Sequence, residues 1–184
     1  MSWSSFHHRG DVLRAVVAAA DARRDGTLPM DVEGVPETFG DELTLLGALS
    51  LRWHTRLAGH IERELMARPA DPVEAVLAAW RVAAAELPGV RSVLDRHLAA
   101  PLDDAMAAAL ATAARKEHVL LAVMAGRAGA QDPDAPHEGE LLEGRARAGL
   151  AAATRPRPTA RPEPRSHAAH APGLLERLRT ALVA

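Results

Sequence analysis

"DELTLLGALSLRWHTRLAGHIERELMAR", Asp41 to Arg68, decides the fold. Its apolar residues recur at three- and four-residue spacing, with Leu49, Trp53 and Leu57 on one line. That pattern predicts a helix from about Asp41 to Arg68, ending before Pro69. At ~1.5 Å per residue such a helix is about 40 Å long and serves as the spine of a domain. It also carries His54, His60 and Glu64, which raises the question of metal or haem ligation.

Residues advance ~100° each around a helix, so His54 and His60, six apart, point about 120° away from one another. They cannot chelate one ion from a single helix. Paired ligands on one helix need a spacing of three or four, as in the Glu-x-x-His of di-iron bundles, and this chain contains no Glu-x-x-His. The remaining candidates lie on separate segments. His60 continues the Leu49, Trp53, Leu57 line, and His97 continues Val90, Val93 and Leu94. Glu117 falls on the Leu110, Ala113, Leu121, Met124 stripe, with His118 beside it. An unpaired charge facing a core costs several kcal/mol, so each group is expected to be partnered, to sit at the rim, or to serve a function. The simplest expectation is a structural pair, Glu117 with His60 or an arginine bridging to Glu117. The alternative is a metal- or haem-binding bundle, or an enzyme built on one, using His54, His60, His97, Glu117 and His118.

The spine helix is flanked by others. "GDVLRAVVAAADARR" places Leu13, Val16, Val17 and Ala20 on one face, with Asp11 as a cap and Gly26 as a stop. A long loop follows, punctuated by Gly26, Pro29, Gly34 and Pro36. "ADPVEAVLAAWRVAAAEL" opens with Asp71 at the N-cap, Pro72 at N1 and Glu74 at N3, and its stripe is Val73, Val76, Leu77, Trp80 and Leu87. Pro88-Gly89 breaks the chain before a short helix ending near His97, and Pro101 precedes a long last helix that stops at Gly126 or Gly129. No alternating β-branched run appears. The expected fold is all-α: an antiparallel bundle of about five helices over residues 1–129.

Residues 130–172 read as a linker, mostly disordered, with weak helical character in "ELLEGRARAGLAAA" and a Pro/Ala/Arg-rich run in "TRPRPTARPEPRSHAAHAP". Residues 173–184, "GLLERLRTALVA", return to helical spacing with Leu174, Leu175, Leu178 and Leu182 on one side. A helix this short is marginal in water and orders on contact, so these leucines are the expected partner-binding residues.

Composition narrows the function classes. The chain has no cysteine, which excludes disulfides, thiolate metal sites and a Cys nucleophile. There is no secretory signal pattern and no apolar run long enough to span a membrane, so the expected location is cytoplasmic, with no membrane partner. Residues 1–143 hold 14 basic and 22 acidic side chains, a formal −8, whereas residues 144–184 hold 8 and 2, a formal +6. The basic tail lacks aromatic residues to stack bases, so nucleic acid is not an expected partner, although a DNA-associated regulator is the third alternative. No phosphate loop, nucleophile elbow or Ser/His/Asp signature is present, and "DARRDGTLPMDV" lacks calcium ligands at its Arg23 and Val32 positions. The leading expectation is therefore a non-enzymatic interaction or adaptor protein with no cofactor. A protein partner would dock through the C-terminal helix, and a homo-oligomer is compatible with the same pattern.

Overall fold

The structure, a computed structural model, describes residues 3–154, and every regular element among them is helical. The order is α1 (Trp3–Arg23), α2 (Val35–Phe39), α3 (Glu42–Ala67), α4 (Pro72–Glu86), α5 (Pro88–Ala99), α6 (Asp104–Met124) and α7 (Ala135–Thr154). Three of these begin on aspartate caps. Asp41, Asp71 and Asp103 accept from the backbone N–H groups of Thr44, Glu74 and Met106, satisfying donors the helix itself leaves free. Pro72 and Pro88 stand in first turns, where no N–H is needed. Pro88-Gly89 thus starts α5 directly after α4 as well as breaking the chain.

The spine is α3. It buries Leu45, Leu46, Leu49, Trp53, Leu57 and Ile61 at helical spacing, largely against Val76, Leu77, Trp80 and Ala83 of α4. Trp53 and Trp80 meet edge to face, centroids 5.8 Å apart at 74°, so each ring offers its edge or face where the aromatic quadrupole favours it. α5 crosses α1 at Gly89. A Cβ there would lie 2.1 Å from the Ala20 carbonyl, so only glycine permits the approach, and the Gly89 N–H donates to Asp21 Oδ1 at 2.7 Å. Among the described residues, no helix is long and apolar enough to cross a membrane.

Four features depart from the sequence reading. α1 begins well before Asp11, whose carboxylate pairs with Arg14 and caps nothing. The buried face of α1 is Val12, Val16 and Ala20, while Leu13 and Val17 are only half-buried. The loop after α1 contains α2, which inserts Val35 and Phe39 into the core.

The fourth departure is α7, a packed helix lying where a linker is expected after Gly129. Ala135, Leu142 and Ala146 are buried, and the described residues up to Ala153 form one compact unit. α7 holds few large apolar residues, so hydrophobic periodicity signals it weakly. Its docking rests instead on the salt bridges described below and on Gly139, whose absent Cβ would sit 1.9 Å from the His118 carbonyl oxygen. The Pro-rich run after Thr154 and the segment Gly173–Ala184 lie outside the described residues.

Candidate functional site

Glu117 is the pivot of the bundle's polar interior. It is 5 % exposed, and both oxygens accept from indoles: Trp53 Nε1 donates to Oε2 at 2.9 Å and Trp80 Nε1 to Oε1 at 3.2 Å. Arg91 Nη1 lies 3.5 Å from Oε2, with its guanidinium 4.9 Å above the Trp53 ring. His54 Nε2 is 3.3 Å from the same oxygen, an ion-pair contact without hydrogen-bond alignment. Burial pushes the Glu117 carboxyl up, but the His54 contact and the Arg91 charge outweigh it and hold the group below the ordinary carboxylate range. One carboxylate thus ties α3, α4, α5 and α6 together.

A second cluster adjoins it. Asp95 of α5 receives Arg91 Nη2 at 2.8 Å and a two-pronged contact from Arg147 of α7 at 2.7 and 2.9 Å. Arg147 also donates to Glu143 at 2.7 and 2.9 Å and stacks 4.9 Å over Trp80. His118 Nε2 meets Glu143 Oε2 at 2.6 Å. Burial works against the Glu143 charge, yet the His118 hydrogen bond and the Arg147 and Arg91 guanidiniums bring its pKa down to about 2. The same hydrogen bond to Glu143 raises His118.

The pH dependence follows from these directions. A depressed carboxylate stabilises the fold fully above its unfolded value of 4.5, and that contribution is lost as pH falls toward about 2. A raised histidine contributes fully below its unfolded value of 6.5 and loses this as pH climbs through its folded value. Glu143→Gln is therefore expected to cost about 3 kcal/mol between pH 4.5 and 6.5 in urea melts. The gap to the unmodified protein closes toward pH 2 and narrows above pH 6.5.

The five sequence candidates divide. His54, Glu117 and His118 line one cleft of about 290 Å³, which has an apolar wall of Leu94, Leu98 and Leu110. His60 stands elsewhere: its Nε2 is 2.7 Å from Glu86 Oε2 and its Nδ1 accepts from Arg63. His97 is buried with Nδ1 donating 2.8 Å to the Val93 carbonyl of its own helix. Glu117 is thus bridged by an arginine, as one structural expectation had it, but its histidine is His54 and not His60. Among the described residues, no group of three or more His, Cys, Asp or Glu side chains takes a metal-holding arrangement. What the cluster provides chemically is a set of fixed charge pairs, Glu117 with Arg91 and His118 with Glu143, that hold the helices together. The indole donors, Arg91, Asp95, Glu143 and Arg147 were not singled out from sequence. Trp53 and Trp80 read there as core residues only.

The opposite side of α3 presents a different surface. Facing α1 it carries Leu51, 68 % exposed, beside Arg52, and three adjoining depressions of about 450, 410 and 250 Å³ all touch Arg52. This is where Leu13 and Val17 of α1 remain half-open.

The fold and its sites define an all-α bundle with an internally paired polar centre. No protein-family model, no curated protein and no solved structure matches the chain.

Proposed function

We propose that this chain is a non-enzymatic interaction protein: a helical bundle that presents one docking face, with a second docking element in Gly173–Ala184. The observation that supports this reading most is the α1/α3 face, where Leu51 stands open beside a trough while the charged groups of the interior are engaged with one another. Large apolar side chains left open around a groove are a recurrent mark of protein-binding surfaces. Leu174, Leu175, Leu178 and Leu182 extend the reading to a partner groove, and a cytoplasmic setting belongs to the same proposal.

Affinity capture with the tagged full chain tests it. Removing residues 155–184 is expected to leave the melting of the bundle unchanged and to remove at least one co-purifying protein. Identical partners with and without those residues contradict the tail's role.

A further inference from the structure

The trough between α1 and α3 has a regular construction. On α3, Thr44, Gly47, Ala48, Leu51 and Thr55 line it along a single helical face. On α1, Leu13, Val17 and Ala18 line it in the same way. From Thr44 to Thr55 the α3 side runs about 17 Å, the length of roughly three helical turns, and a further depression continues along α3 alone to Arg63. Two helices splayed along a shared apolar floor form a seat for a third, read by anchors at i, i+3, i+4 and i+7.

Gly47 sharpens the case. Glycine inside a helix costs about 1 kcal/mol relative to alanine. Among the described residues nothing lies within 4 Å of where a Gly47 Cβ would be, so none of them requires its absence. Its effect is to lower the trough floor to backbone level.

The rim selects the occupant. Arg9, Arg14, Arg52, Arg56 and Arg63 line the three depressions; Arg14 pairs with Asp11 and Arg56 with Glu86, and the acid among the lining residues, Asp21, is engaged with the Gly89 N–H, so the described rim keeps a net positive charge. This cationic edge stands on a body whose formal charge over residues 1–143 is −8. Arg52, which touches all three depressions, acts on the Glu86 carboxylate through its charge, together with Arg56. The chain's own Gly173–Ala184 carries two arginines to one glutamate, so its charge repeats that of the rim. Nucleic acid fits poorly, because the floor is aliphatic, offers no ring to stack a base, and belongs to an acidic body.

We propose that this trough binds an acidic amphipathic helix of a partner protein, its leucines seated against Leu13, Leu51 and Gly47 and its carboxylates facing Arg9 and Arg52. The proposal rests on the interaction reading above and names the partner chemistry of its bundle face.

Fluorescence anisotropy with the full chain tests it, using two synthetic helical peptides of about 18 residues that share a leucine stripe. One carries glutamates on its polar face and the other lysines. The glutamate peptide is expected to bind, more weakly as salt is raised, and roughly tenfold or more tighter than the lysine peptide. Arg52→Glu and Gly47→Leu are each expected to weaken it by a similar factor while lowering the melting temperature by only a few degrees, since Arg52 meets the Glu86 charge at the exposed surface and the Gly47 side chain enters open space. Equal binding of both peptides, no binding of the glutamate peptide, or full binding by Gly47→Leu overturns the assignment. Those results concern partner charge and seat alone. Affinity capture with the full chain reports separately on whether the chain is an interaction protein at all.

Discussion

Glu117→Leu is expected to destabilise the bundle by about 4 kcal/mol, lowering its melting temperature by roughly 10 °C. The substitution removes the acceptor of two indole N–H groups and the counter-charge facing Arg91, all inside the core. Leaving a buried charge without its partner is far more costly than never having placed the pair there. Two further variants separate the causes. Glu117→Gln retains an acceptor oxygen for an indole but cannot balance Arg91, and about 2 kcal/mol of loss is expected. Combining Arg91→Met with Glu117→Leu should restore part of the stability lost in Glu117→Leu alone, because the cation that then faces a leucine, with Asp95 still beside it, is gone. Urea melts at pH 6 read all three. A change under about 1 kcal/mol for Glu117→Leu would mean that the pairing contributes nothing net.

The second large effect is expected at Gly139. A methyl group at this position would lie 1.9 Å from the His118 carbonyl oxygen and 2.5 Å from its Cα, contacts that backbone cannot yield to by a side-chain turn. Gly139→Ala should therefore push α7 off α6 and strain His118–Glu143 and Arg147–Asp95 together, a loss on the order of 3 kcal/mol or more. Gly144→Ala, on the same helix with nothing within 4 Å of its Cβ, is the internal control and should be neutral or mildly stabilising. Amide hydrogen exchange gives a direct reading. The α7 amides are expected to lose protection in Gly139→Ala and to keep it in Gly144→Ala.

Gly139 also shows why α7 was hard to read. Sequence patterning finds helices through repeated large apolar residues, and α3, α4 and α6 announced themselves that way, each with an aspartate cap at its start. α7 buries one leucine and two alanines, and it adheres through charge pairs and a close backbone approach, neither of which has a period. The α1 face misread for a related reason. Leu13 and Val17 are as apolar as Val12 and Val16, and composition cannot say which pair faces a core and which an open trough.

The site was half legible. Spacing along one helix fixed the divergence of His54 and His60, and they do find different carboxylates, Glu117 and Glu86. Which carboxylate each would meet depends on the rotation of neighbouring helices, set by the packing of Trp53 against Trp80. Those two tryptophans also carry the least legible feature. Their apolar area places them in the core, and only the assembled fold turns both indole N–H groups onto one acid.

One pairing of variants separates the interior that holds the bundle closed from the exterior that binds. It is the anisotropy titration of the glutamate peptide against Glu117→Gln and Arg52→Glu, at a temperature where both are folded. Glu117→Gln should melt lower yet bind within about twofold of the unmodified protein, as expected for distant, uncoupled positions. Arg52→Glu should melt within a few degrees of the unmodified protein and bind roughly tenfold more weakly or worse. Loss of binding in Glu117→Gln together with undiminished binding in Arg52→Glu would place recognition at the interior cleft and contradict the division.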